Sequence, residues 1–231
     1  MNSKRHFPLL SQILGIIIAV SFSSCGTLAS EAVDPSPALP SPVAPGVWAR
    51  WDAYSVTVHL TPPLFTEESL PKFRAFVAQA EAAGASKTVL GQLRGALRSA
   101  EIEWETLQQL DPATIQELRR QIAPAAQPGP AAPQGLFNCT RATAGPTTAR
   151  PGAKAYAKGS CVNATNHVYA RAEAAGEVRA ARDAGWNGAF ASAFQYGNWA
   201  CASYGAASAY LSIGGFRITV DSSTAAYDRC R

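Results

Sequence analysis

Histidine is scarce in this chain, with three among 231 residues, and the motifs that usually organise catalysis are missing. There is no His-Glu-x-x-His run, no Gly-x-Ser-x-Gly elbow and no glycine loop of the phosphate-cradling kind. Of the histidines, His6 belongs to the N-terminal leader described below, so only His59 and His167 are left for any histidine chemistry. His167 follows Cys161 by six residues, the makings of a Cys and His nucleophilic pair. An oxidised cysteine beside a half-exposed strand histidine is the simpler expectation. The least implausible acid and base groups for an enzyme are His167, Glu173 and Asp183. Glu101, Glu103 and Glu105 bring carboxylates together on one helix, as glycoside hydrolysis requires. Arg94 and Arg98 on the preceding turns make a solvated, ion-paired surface the expected role instead. No spacing of His, Cys, Asp and Glu suits a metal, and no cofactor is expected.

Charge is sparse too, at 16% of residues. Residues 46–122 carry eight bases against nine acids, and only residues 136–231, with ten bases and five acids, are distinctly basic at +5. These bases are spread from Arg141 to Arg231 without a dense run. Weak attraction to anionic polymers or lipid headgroups follows, but no specific nucleic-acid binding.

Long apolar runs are absent. The longest, Leu9 to Phe22, has fourteen residues, short of the roughly 20 needed to span a bilayer. Preceded by Lys4 and Arg5 and followed by small residues, it has the grammar of a secretory leader. It ends in Phe22-Ser23-Ser24-Cys25-Gly26, which resembles the lipobox of bacterial lipoproteins, with Phe22 where that family most often has leucine. The resemblance implies cleavage before Cys25, a diacylglycerol on its sulfur and anchoring in a membrane of the cell envelope. The alternative is ordinary cleavage further on, for instance after Ser30-Glu31-Ala32, releasing a secreted protein.

Cysteine is rare, and its distribution is informative. Removing Cys25 from five leaves Cys139, Cys161, Cys201 and Cys230, an even number within the last 93 residues. In an exported protein these are expected to form two disulfides, with three pairings open.

What is present divides the chain by composition. After the leader (1–25), residues 26–46 contain five prolines and few apolar side chains, and read as an extended spacer. Residues 47–122 read as a strand and a small helical module. Val56, Val58 and Leu60 alternate with polar residues; Leu70, Phe73, Phe76, Val77 and Ala80 mark one helix, with Ser69 its expected N-cap and Gly84 its stop. Leu90 to Leu107 form a second helical stripe capped by Ser86, and Asp111-Pro112 opens a third helix. Four prolines in 123–135 mark a linker and the expected domain boundary.

From residue 136 the period changes from helical to two. Val168, Ala170, Ala172 and Ala174 form one strand face, small residues alternate with larger ones over 189–196, and Gly214-Gly215 joins two strands as a tight hairpin. Residues 166–184 also have helix propensity, which leaves strand and helix open there. With Cys161 at a strand end, the Gly185-Trp186-Asn187-Gly188 turn, Trp199-Ala200-Cys201 and the closing hairpin, the tail resembles small disulfide-bonded β-sandwich domains of secreted bacterial proteins. That likeness implies a fold more than an activity.

The expected fold is therefore α+β by separate modules, a helical module followed by an all-β, disulfide-bonded sandwich. The candidate binding residues are Trp186, Tyr196, Trp199, Tyr204 and Arg217, which would stack on sugars or anchor a protein if clustered on a sheet face. A lipid-anchored, non-enzymatic envelope protein that binds a protein or an envelope polysaccharide is the first expectation. An enzyme or effector acting on envelope material is the second, and a structural role through oligomers of the Leu90–Leu107 stripe is the third.

Overall fold

Asp52 divides the first aromatic and β-branched stretch in two. Its carboxylate accepts the N–H groups of Tyr54 and Ser55, each at 2.8 Å, an Asx turn that reverses the chain. The single strand expected over 47–60 is thus a hairpin of β2 (Val47–Trp51) and β3 (Ser55–Leu60). The computed structural model describes residues 40–122, 140–147, 151–197 and 200–229. The leader with Cys25, the 123–135 linker, Cys139, Trp199 and Cys230 lie outside the described residues. The end of the proline-rich spacer is already structured, as edge strand β1 (Ser41–Ala44) paired with β2; Pro42 is tolerated because an edge strand has a side without ladder hydrogen bonds.

Three helices follow the 3-10 turn at Pro62–Leu64. α1 (Ser69–Ala82) ends in a Schellman arrangement, with Gly84 at φ 77° and the Ala85 N–H donating to the Ala80 carbonyl at 3.0 Å. Its N-cap is Glu68 and not Ser69; the Ser69 hydroxyl accepts the Thr66 N–H at 2.9 Å and donates to the Pro45 carbonyl at 2.8 Å. α2 (Lys87–Gln108) is capped by Ser86, whose hydroxyl accepts the Val89 N–H at 3.2 Å. α3 (Pro112–Ile122) starts on Asp111, whose carboxylate accepts the Thr114 N–H at 2.9 Å. Arg119 ties α3 to the 3-10 turn through the Pro63 and Phe65 carbonyls.

The remaining strands are β4 (Thr140–Pro146), β5 (Gly152–Gly159), β6 (Thr165–Ala174), β7 (Glu177–Trp186), β8 (Ala189–Tyr196), β9 (Ala200–Ile213) and β10 (Phe216–Asp228). Residues 166–184, open between helix and strand, are most of the β6–β7 hairpin, turned by Ala175 (φ 52°) and Gly176 (φ 81°). The Gly214-Gly215 hairpin forms as the sequence predicts. Two antiparallel sheets result, one of seven strands in the order β1-β2-β3-β10-β9-β6-β7 and one of three in the order β4-β5-β8. The class is mixed α+β with a mostly β body.

Strands from both sides of 123–135 share one sheet among the described residues. Residues 37–231 form one compact unit, because β3 pairs with β10, from the other end of the sequence. Helices α1 and α2 bury Phe73, Val77, Val89, Leu93 and Ala100 against Val47, Val56, Val58 and Ala226, so the helical module shares its core with the sheet.

The three-stranded sheet lies on the other side, with β4 over β9 and β10, β5 over β6 and β9, and β8 over β6 and β7. The seam between the sheets is almost entirely alanine: Ala153, Ala155 and Ala157 of β5, Ala170, Ala172 and Ala174 of β6, Ala189, Ala191 and Ala193 of β8, with Ala207 and Val168. Alanine is a poor strand former in general, and it is selected here by closeness. A Cβ at Gly205 would lie 2.7 Å from the Tyr156 carbonyl oxygen and 3.0 Å from that of Thr143, so the sheets approach backbone to backbone.

Candidate functional site

The seven-stranded sheet is covered in a staggered way. On one face α1 and α2 pack over β2, β3 and β10; on the opposite face the small sheet packs over β10, β9, β6 and β7. Among the described residues no element packs over the helix-side face of β9, β6 and β7, and its side chains follow from register. Thr165 pairs with both Tyr210 and Trp186, His167 with Ser208 and Ala184, Tyr169 with Ala206 and Arg182, Arg171 with Tyr204 and Ala180, and Glu173 with Val178. Side chains alternate across a strand, so these residues share one face. On β6 the inward positions are Asn166, Val168, Ala170, Ala172 and Ala174, and the outward ones are Thr165, His167, Tyr169, Arg171 and Glu173.

These outward residues are organised into contacts. Arg217 stacks its guanidinium 3.6 Å above the centre of the Tyr210 ring, and Arg182 lies 5.4 Å from the ring of Tyr169. His167 meets Tyr210 edge to face at 5.5 Å, and Tyr169 leans on Tyr204 at 6.0 Å. Ser208 donates to the Tyr210 hydroxyl at 2.6 Å, and Arg171 pairs with Glu173 at 2.7 Å. Tyr204 sits at the border with the helices; burial, and secondly the neighbouring Tyr169, hold its pKa above the usual phenol value. Trp186, at 63% exposure, is the most exposed large apolar side chain among the described residues. The face spans about 26 Å along β6 at ~3.3 Å per residue. It carries Arg171, Arg182 and Arg217 against Glu173.

Of the binding residues expected from sequence, Trp186, Tyr204 and Arg217 come together on this face. Tyr196 does not. It pairs with Gly152 in the small sheet and points to the opposite side of the sandwich, where it packs on Phe194 at 4.4 Å. Trp199 lies outside the described residues. Tyr169, Arg171, Arg182 and Tyr210 join the site through a pairing of β6 with β9 that local spacing does not reveal.

The acid and base groups considered for an enzyme stay apart. His167 and Glu173 lie at opposite ends of the β6 face, about 20 Å apart by strand rise. Asp183 points the other way and accepts the N–H groups of Ala184 and Phe190, each at 2.9 Å, joining β7 to β8. Cys161 is buried on the seam side of the sheet, against Ala164, Ala209 and Val220, while His167 faces outward. The α2 carboxylates are occupied across elements: Glu101 by Arg74 of α1 at 2.7 Å, and Glu103 by the hydroxyl and N–H of Thr219. Arg94 reaches Glu81 of α1 at 2.7 Å, and not its own helix.

A second polar cluster escaped sequence reasoning. His59 of β3 lies 2.8 Å from Asp221 of β10, with side chains 20% and 0% exposed. Thr140 of β4 donates its N–H and hydroxyl to the other Asp221 oxygen at 3.2 and 2.8 Å, and the Thr61 hydroxyl donates to the first at 3.2 Å. Burial alone would lower the His59 pKa; the charge of Asp221 and its hydrogen bond outweigh burial and hold the pKa above the usual histidine value. Both Asp221 oxygens are engaged, so the cluster pins three strands together. Among the described residues no three His, Cys, Asp or Glu side chains are placed to hold a metal ion, and no helix is long and apolar enough to cross a membrane.

No family model, curated protein or solved structure matches this chain.

Proposed function

We propose that this chain is an exported envelope protein, anchored by lipid on Cys25, whose uncovered tyrosine and arginine face binds an envelope polysaccharide bearing acidic groups. The observation that carries this reading is the row Tyr210, Thr165 and Trp186 on an uncovered sheet face, with Arg217 stacked on Tyr210. Sugar rings offer apolar C–H faces to aromatic planes and hydroxyls to polar tips. Tyrosine, histidine, serine and arginine supply both, and three arginines against one glutamate favour a carboxylate- or phosphate-bearing chain. A flat face tens of ångströms long suits a polymer better than a small molecule, which prefers an enclosed pocket.

Two disulfides belong to the same reading, paired Cys139 with Cys161 and Cys201 with Cys230. In support, Thr140, which follows Cys139, pairs with Gly159, two residues before Cys161. The N–H of Arg229, which precedes Cys230, donates to the Cys201 carbonyl at 2.8 Å. Cys161 packs on Ala209, about 26 Å along β9 from Cys201 by strand rise, far beyond the ~7 Å that a disulfide tolerates between Cα atoms.

Co-sedimentation of residues 37–231 with insoluble envelope polysaccharide tests the binding reading. The unit should sediment with it, and Trp186→Ala with Tyr210→Ala should weaken binding at least tenfold, since aromatic anchors contribute more than about 1 kcal/mol each. Failure to sediment, or undiminished binding by the double variant, would overturn it.

A further inference from the structure

The outward face of the small sheet has a different chemistry. Register sets Lys158 beside Arg141 and Phe190, Tyr156 beside Thr143 and Ser192, Lys154 beside Gly145 and Phe194, and Tyr196 beside Gly152. The inward positions between them are the alanines of the seam, so these side chains face away from the body of the protein. Three of the outward positions on β4, β5 and β8 are cations, four are aromatic and none is a carboxylate. Phe190 and Tyr196 are 57% and 50% exposed, and Arg141 lies 6.0 Å from the ring of Tyr156. At the β8 margin, Asp183 accepts the backbone N–H groups of Ala184 and Phe190, and Glu177 accepts from the Gln195 side-chain amide at 2.7 Å.

We infer that this face docks on the surface of an anionic lipid bilayer. Charge complementarity selects an anionic partner. The phenylalanines select a bilayer over a soluble polyanion, because Phe190 and Phe194 offer no hydrogen bond to a sugar or phosphate chain but gain from burial at the headgroup and acyl boundary. Lysine suits the same partner: its flexible stem lies along apolar surface while its ammonium reaches the headgroups. The contrast with the opposite face is chemical, since that one is built from tyrosine, arginine, histidine and serine and this one from lysine and phenylalanine. Bilayer contact here leaves the tyrosine and arginine face turned away from the membrane. The inference does not depend on lipidation of Cys25.

The test is co-sedimentation of residues 37–231, which contain every described element and no leader, with vesicles of phosphatidylcholine alone or mixed with phosphatidylglycerol. Binding should appear only with the anionic lipid and weaken as salt rises. Lys158→Glu should reduce it at least about fivefold, the worth of one basic residue near an anionic surface, and Phe190→Ser should reduce it as well. Arg98→Glu, the same charge change on exposed α2, should leave it unaltered, and unchanged circular dichroism shows that the variants are folded. Absence of binding to anionic vesicles, or equal loss with Arg98→Glu and Lys158→Glu, would overturn the inference. So would binding that survives Phe190→Ser and is competed by a soluble anionic polysaccharide, which would identify a polyanion site. Polysaccharide binding through Trp186 and Tyr210 is read separately and can fail or succeed alone.

Discussion

Replacing Gly205 by alanine should destabilise the protein, although alanine normally helps. A glycine in a strand costs roughly 0.5–1 kcal/mol relative to alanine through lost chain entropy, so a roomy site would gain that much. At Gly205 the new methyl would stand 2.7 Å from the Tyr156 carbonyl oxygen, 3.0 Å from the Thr143 carbonyl oxygen and 3.4 Å from Ala142 Cβ. Two of these neighbours are backbone and cannot swing aside, so the sheets must part locally, at the 1–3 kcal/mol typical of overpacking. The net expectation is a loss of about 1–2 kcal/mol. For a body of this size that lowers the melting temperature by about 2–8 °C. Gly95 is the internal control: it lies exposed inside α2 with nothing within 4 Å of the added Cβ, and Gly95→Ala should stabilise by about 1 kcal/mol. Differential scanning calorimetry of both variants reads opposite signs. A Gly205→Ala protein as stable as wild type, or more so, would refute the close-packed alanine seam.

Other perturbations follow from the polar interior and the leader. The raised His59 pKa stabilises the fold fully below the unfolded value of about 6.5, and this contribution is lost as pH rises through the higher folded value. Urea unfolding should therefore show stability falling over that window, and His59→Gln should abolish the slope. The buried Asn166 amide accepts the Cys161 N–H at 3.1 Å and donates to the carbonyls of Cys161 and Ala164 at 3.1 and 3.0 Å. Asn166→Ala should cost about 3 kcal/mol in chemical denaturation by stranding those groups; a loss below about 1 kcal/mol would contradict that role. Cys25→Ser should convert a protein that needs detergent for extraction into one released by salt. Retention after a salt wash would contradict the lipid anchor.

Where a signal is local, the sequence carried it. Ser86 and Asp111 cap their helices, Gly84 ends α1 and Gly214-Gly215 turns the last hairpin, because caps and two-residue turns are decided by residues three or four apart. Alternation of small and large residues in β6 and β8 announced the alanine seam. Sheet membership was not legible. Trp186 and Tyr196 look alike in sequence, each at a strand end, yet one pairs with Thr165 in the large sheet and the other with Gly152 in the small one, and this decides which side of the protein each serves. The joining of β3 to β10, which merges the helical segment with the sheet, and the His59–Asp221 contact both bridge about 160 residues. No periodicity reports pairing at that separation, since closing such a loop depends on the whole core.

Hydroxyl-radical footprinting of residues 37–231, free and saturated with acidic envelope polysaccharide, tests the proposed binding face most directly. Protection should concentrate on Trp186, Tyr210 and Tyr169, while Phe190 and Tyr196 on the opposite side remain as reactive as in the free protein. Protection of Phe190 and Tyr196 with Trp186 and Tyr210 unchanged would contradict the assignment of the polysaccharide to the tyrosine and arginine face.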